Sequence, residues 1–308
     1  MANFVLQCKK QAKEGKNVSR TTKSKEKTEL IIGLCTISAA LLLLVALVIG
    51  MGRLSSQIEV TKPPQKDPTV QTTTAAPTTP SLRPNPYSSR DFAYENGYIT
   101  CLSGPSMLGV DVSEYQGVID WNKVASKNVQ VAMVRMGARA WGKTGEILTD
   151  SRWEENLSGA RAAGLKVGVY FFSQAISIAE AQEEARFVLD LLQGQELDMP
   201  IVFDWEIISS EGARTANISA EMLNSCAIAF CEEIKAAGYE PMVYFNIDLT
   251  RQLLDLQKMQ DMGYRFWLAM YNSSMTFPYR IDMWQYTSGG TVPGIEGLVD
   301  LNVYFIYE

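Results

Sequence analysis

Between residues 108 and 305 short strand-like runs alternate with helix-like runs, and this alternation limits the possible folds more than any other feature of the 308-residue chain. Apolar and β-branched runs at 108–112, 129–136, 166–172, 201–204, 241–246, 266–271, 282–286 and 299–305 predict eight strands. Amphipathic stretches at 153–163, 178–192, 219–237 and 248–262 predict helices between the earlier ones. The third helix starts at Ser219, a residue type that caps helices, and stops at Gly238, which suits a left-handed terminating position. After Tyr271 the strands crowd together and leave little room for helices. The pattern predicts an α/β fold, a single β/α barrel of the TIM type with an incomplete helical ring; a doubly wound sheet is the alternative.

The segments before the barrel differ in composition. Residues 1–28 carry eight Lys and Arg against Glu14 and Glu26 and form a basic tail. Residues 29–52 contain the uncharged apolar run 30–52, which spans about 34 Å as a helix, enough for a bilayer core. A cleaved signal peptide has a shorter apolar region and a shorter basic head, so the run reads as an uncleaved anchor. The basic flank precedes it, which places the N-terminus in the cytoplasm and the rest outside the cell membrane. Residues 53–90 hold Pro63, Pro64, Pro68, Pro77, Pro80, Pro84 and Pro86 with runs of threonine. Such a segment tends toward extended polyproline conformation and reaches at most ~90 Å over thirty residues, a tether for the globular part at 91–308.

Composition also excludes chemistry. There is no histidine, which removes Ser-His-Asp and Cys-His catalysis and His-ligated zinc. General acids and bases must then be carboxylates, Lys, Tyr or Cys. The five cysteines show no metal-ligand spacing, and neither a metal nor another cofactor is expected. Beyond residue 28 the chain sums to a net charge of −12 within a total of −6, which argues against a nucleic-acid partner.

The stretch Met199-Pro200-Ile201-Val202-Phe203-Asp204-Trp205-Glu206 joins an apolar strand to two carboxylates spaced two residues apart. On a strand such residues share a side, roughly 6.6 Å apart, and crowding with partial burial separates their pKa values. In β/α barrels the C-terminal strand ends carry the chemistry. Those ends bring Asp111 from the first strand, Arg135 from the second, Tyr170 from the third and Asp204 with Glu206 from the fourth. Tyr244 follows from the fifth, Trp267 and Tyr271 from the sixth, Trp284 from the seventh and Asp300 from the eighth. Four carboxylates and a set of aromatics around one mouth suit sugar rings, whose C–H faces pack on aromatic faces.

The ordered set Gly109-Val110-Asp111-Val112-Ser113 with Gln116-Gly117 and Ile119-Asp120-Trp121, then Tyr170-Phe171-Phe172, Val202-Phe203-Asp204-Trp205-Glu206, Trp267-Leu268-Ala269-Met270-Tyr271, Trp284-Gln285-Tyr286 and Val299-Asp300-Leu301-Asn302, resembles glycoside hydrolase family 25, the muramidases. The resemblance covers residues 107–308. It implies a β/α barrel that hydrolyses the β-1,4 bond between N-acetylmuramic acid and N-acetylglucosamine in peptidoglycan. It implies Glu206 as proton donor, Asp204 as partner carboxylate and Asp111 and Asp300 as the other site acids. It also implies that Tyr170, Trp267, Tyr271 and Trp284 line the groove. Phe171 stands where relatives often carry histidine. The resemblance leaves open whether a carboxylate or the substrate's own acetamido group attacks the anomeric carbon. A wall-binding protein, a hydrolase for another acetamido-sugar polymer and a membrane-anchored scaffold are the competing readings.

Overall fold

The structure, a computed structural model, describes residues 81–307. The basic tail, the apolar run 30–52 and most of the Pro/Thr-rich stretch lie outside the described residues. Among the described residues no helix is long and apolar enough to cross a membrane.

The elements run β1 (Phe92–Glu95), β2 (Tyr98–Cys101), β3 (Ser106–Val112), α1 (Trp121–Ala125), β4 (Val129–Arg139), β5 (Ile147–Thr149), α2 (Trp153–Ala162), β6 (Lys166–Ser173), α3 (Ile178–Leu192), β7 (Ile201–Trp205), α4 (Ala220–Ala236), β8 (Pro241–Asn246), α5 (Ile247–Gln252), α6 (Leu256–Asp261), β9 (Arg265–Ala269), β10 (Met283–Gly290) and β11 (Val299–Phe305). Eight strands close on themselves in the order β3-β4-β6-β7-β8-β9-β10-β11, with β11 returning to pair with β3. Strand β5 extends the sheet as an antiparallel appendage on β4.

The barrel is mixed, which corrects the expectation of a TIM-type barrel. Strand β11 is antiparallel to both of its neighbours. The reason is connection length. Residues 291–298 join β10 to β11, too few for a crossover to a parallel strand, and Gly294 and Gly297 at φ +106° and +84° turn the chain back. No helix lies between β9 and β11, so the helical ring is incomplete on that side. There the β1–β2 hairpin covers the barrel, with Phe92 edge-on to Trp284 at 5.3 Å. Its two-residue turn is Asn96-Gly97, both at positive φ, as a type I′ turn requires. Residues within the proline-rich stretch also pack on the barrel. Pro84 bridges to Tyr279, and Tyr87 stacks on Phe305 at 5.1 Å.

The helix expected over 248–262 is two short helices. Leu253 leaves helical geometry, and Asn224 of α4 holds the break: its Nδ2 donates to the Leu253 carbonyl and its Oδ1 accepts from the Asp255 amide. Asp255 then caps α6 by accepting from Lys258 N. The helix at 219–237 behaves as its sequence indicates, with Ser219 accepting from Met222 N and Gly238 at φ +89°.

Strand alternation sorts the core into two shells. Inward residues Met107, Val131, Met133, Val202, Met242 and Met283 fill the barrel with Tyr170, Tyr244 and Trp267. Outward residues such as Val110, Val169, Phe203, Phe245 and Leu268 pack in an outer shell with Val188, Phe230 and Ile234 of the helices. Flexible thioethers suit the irregular interior of a small barrel.

Candidate active site

The same alternation aims the polar residues. On β3, β7, β10 and β11 the inward positions nearest one mouth are Asp111, Asp204, Gln285 and the pair Asp300 and Asn302. Asp300 sits at the beginning of its strand, not the end. It reaches the common mouth because β11 runs antiparallel, which sets it directly opposite Asp111 in register.

The acids sit on an amide scaffold. Asp111 Oδ2 accepts from Gln285 Nε2 at 2.9 Å and from Asn302 Nδ2 at 2.7 Å. Asn302 Oδ1 accepts from Trp267 Nε1 at 2.9 Å. Gln285 Oε1 accepts from the hydroxyls of Tyr244 and Tyr271, each at 3.0 Å. The indole N–H of Trp267 can only donate, so it fixes the oxygen end of Asn302 and turns Nδ2 toward Asp111. Neither Gln285 nor Asn302 was singled out as a site residue from the sequence. The available signal was period two along β10 and β11, which puts Gln285 beside Met283 and Asn302 beside Asp300 on inward faces.

All four carboxyls are disfavoured as anions. Burial, and then the charge of Asp300, pushes Asp111 up to about 8. Burial, then the charges of Glu206 and Asp111, raises Asp204 well above the usual carboxylate range. Burial, then Asp300, pushes Glu206 up to about 7, and burial raises Asp300. Among the described residues no donor reaches either oxygen of Asp204 or Oε1 of Glu206. At neutral pH the cluster therefore keeps protons, which is what a carboxyl needs to act as an acid.

The aromatic residues separate into three groups. Tyr170, Tyr244 and Trp267 form a buried floor beneath the acids, with edge-on ring contacts of 6.1 and 5.0 Å to Trp267. Tyr271 is at the rim, 54% exposed. It borders a groove of about 780 Å³ walled by Ile247, Leu254, Met270, Phe277 and Tyr279. Trp284 does not reach the mouth, which corrects its expected place in the groove. It points outward from β10, is fully buried against Phe92 and Tyr286, and donates from Nε1 to the Met270 carbonyl at 2.8 Å. The cause is parity: a strand that turns Gln285 inward must turn Trp284 outward.

Arg135 is an inward residue of β4 paired in register with Tyr170. Its guanidinium pairs with Asp150 at 2.8 Å and Glu114 at 3.3 Å and lies 4.8 Å from the ring centroid of Tyr115. Among the described residues no group of His, Cys, Asp and Glu is arranged to hold a metal ion.

Residues 110–295 match the family model described as Glycosyl hydrolases family 25, more than half of the chain. The autolytic lysozyme of Clostridium acetobutylicum is 27% identical over 202 residues, covering 64% of this chain and 56% of that protein. Lysozyme M1 of Streptomyces globisporus is 26% identical over 204 residues, covering 64% of this chain and 67% of its own length. Among solved structures, the modular autolysin LytC of Streptococcus pneumoniae superposes with a TM-score of 0.58 at 25% identity, covering 70% of this chain and 52% of that one. The chain thus spans little more than half the length of two of these relatives.

Proposed function

The chain belongs to family 25 of the glycosyl hydrolases, and from that premise we propose that it is an N-acetylmuramidase. It cleaves the β-1,4 bond between N-acetylmuramic acid and N-acetylglucosamine in peptidoglycan. The observation that carries this reading is the cluster of Asp111, Asp204, Glu206 and Asp300, all with raised pKa, at one mouth of the barrel. Binding alone has no use for four crowded acids, whose mutual repulsion is a standing cost to the fold. The lysozymes and the autolysin among its relatives carry a matching activity in their names.

Glu206, with a pKa of about 7, donates its proton to the leaving glycosidic oxygen. Charge then develops at the anomeric carbon and needs a partner. Asp204 lies beside Glu206 and has no donor on either oxygen among the described residues, so it has acceptor capacity to spare. We assign it to the N–H of the substrate's 2-acetamido group, steadying that group as its oxygen closes on the anomeric carbon. Asp111 and Asp300 complete the electrostatic lining, and Tyr271, tied to the scaffold through Gln285, offers its exposed ring to a sugar face at the rim. The apolar run at 30–52 supports a further reading, a single-pass anchor that confines cleavage to the wall near the cell's own membrane.

Digestion of purified peptidoglycan followed by borohydride reduction tests the activity. Reduced muramic acid at the new ends is the expected product. Reduced glucosamine, or no new ends, overturns the reading. Replacing Glu206 with Gln must abolish turnover.

A further inference from the structure

Gln174 follows β6 directly and is fully buried, outside the acid cluster. Its side-chain amide makes three hydrogen bonds. Nε2 donates to the backbone carbonyls of Ser173 and Glu206, each at 2.9 Å. Oε1 accepts from Thr215 Oγ1 at 3.0 Å. The backbone carbonyl of Gln174 accepts from Arg214 Nη1 at 3.2 Å, and Arg214 Nη2 pairs with Glu180 of α3 at 2.5 Å. Next along the chain, the Ala175 carbonyl accepts from Trp205 Nε1 at 3.2 Å. The short segment 173–175 therefore grips the residues on either side of the β7 end and, through Arg214 and Thr215, the far part of the loop that follows Glu206.

The carboxyl of Glu206 has no comparable anchor. Its Oε1 receives no donor among the described residues, and neither oxygen of the neighbouring Asp204 carboxyl receives one. The position of the acid is set by its main chain. Burying an amide gains little over burying an apolar group unless backbone or hydroxyl groups would otherwise be left unpaired. Here those groups are the Glu206 carbonyl and the Thr215 hydroxyl.

We propose that Gln174 is a positioning residue for the proton donor. By tying the Glu206 carbonyl and Thr215 to one side chain, it fixes the height at which the Glu206 carboxyl meets the leaving oxygen. The proposal rests on the reading of Glu206 as the acid. A misplacement of about 1 Å costs up to ~100-fold in rate, so the grip acts on the chemical step more than on binding.

The test compares Gln174→Met, which keeps length and loses every amide bond, with Thr215→Val, Thr215→Ser and Val188→Ala, the last a cavity in the buried face of α3. Turnover of a soluble glycan fragment is measured with wild type and Glu206→Gln alongside, and the Glu206 carboxyl is titrated by carbon NMR. Gln174→Met should lower kcat by about 10- to 100-fold with KM changed less than about threefold, and should move the Glu206 titration. Thr215→Val should show a smaller loss that Thr215→Ser recovers. Val188→Ala should lower the melting temperature without touching the pH profile. If Gln174→Met does not fold, the Thr215 pair carries the same test. Wild-type kcat and titration in Gln174→Met, or in Thr215→Val, overturn the positioning role while an inactive Glu206→Gln leaves the acid assignment standing. Turnover retained by Glu206→Gln overturns the acid assignment and this proposal with it.

Discussion

Replacing Asp111 with Asn should make the protein more stable, and by an amount that depends on pH. Asp111 is buried and faces Asp300, and its folded pKa is about 8 against an ordinary 3.8. Between those values the folded state binds a proton that the unfolded state has released, so wild-type stability falls as pH rises through that window. At pH 7 the interval corresponds to at most about 4 kcal/mol. Asp111 and Asp300 titrate as a pair, so roughly half of that, about 2 kcal/mol, is expected from relieving one member. Asparagine fits the scaffold. Its Oδ1 accepts from Gln285 and Asn302 as Asp111 Oδ2 does, and its Nδ2 replaces a repelling oxygen with a donor on the Asp300 side. For a domain of this size about 2 kcal/mol is roughly 4–8 °C in melting temperature. Thermal unfolding followed by circular dichroism from pH 3.5 to 9 should show the two proteins melting together at the acid end. The mutant's advantage should grow until about pH 8 and then level off. An advantage that is absent at pH 8, or that shrinks as pH rises, would refute the electrostatic account. Turnover should fall in the same variant, because the cluster that weakens the fold is the one assigned to the chemistry.

The rate of glycan cleavage should decline as pH rises through about 7, since Glu206 acts while protonated, and a limb lying below pH 5 would contradict the assignment. Gln285→Leu strips Asp111 of a donor and Tyr244 and Tyr271 of their acceptor; chemical denaturation should report a loss of about 3 kcal/mol, and activity should drop at least about tenfold. Trp284→Ala should cost about 3–5 kcal/mol through the cavity left against Phe92 and Tyr286, yet leave KM of the folded protein unchanged. A raised KM with unchanged stability would return Trp284 to the groove. Deletion of residues 1–52 should release the protein from the membrane fraction of its host if the 30–52 run is an anchor.

The sequence was legible where period and burial agree. Runs such as 201–204 are apolar on both faces, which marks strands enclosed in a barrel, and each of the eight expected strands has a counterpart in the closed sheet. Strand direction was not legible, because hydrophobic period carries no sign. The expected strands 282–286 and 299–305 left twelve residues between them; only the extension of β10 to Gly290 shortens the connection to 291–298, too short to cross the barrel. Asp300 was therefore expected at a strand end, whereas it stands at a strand beginning. Parity would have excluded Trp284 once Gln285 was recognised as inward, but a tryptophan between strand residues reads as a sugar platform when its facing is unknown. The β1–β2 hairpin was announced by Asn96-Gly97, and lay in a region read only for composition. Gln174 had no signal at all, since its role comes from partners 32 and 41 positions away.

The antiparallel β11 also has a consequence in time. It follows the other barrel strands in chain order, and it closes the seam by pairing with the first, β3. Asp300 and Asn302 travel on it, so the acid cluster and the wall of the barrel are finished in one event. During synthesis the earlier strands emerge with Asp111, Asp204 and Glu206 already in place along the chain, but without the strand that brings their fourth acid opposite Asp111. Until that strand pairs, the barrel stays open along β3 and the site lacks both Asp300 and the Asn302 amide that holds Asp111.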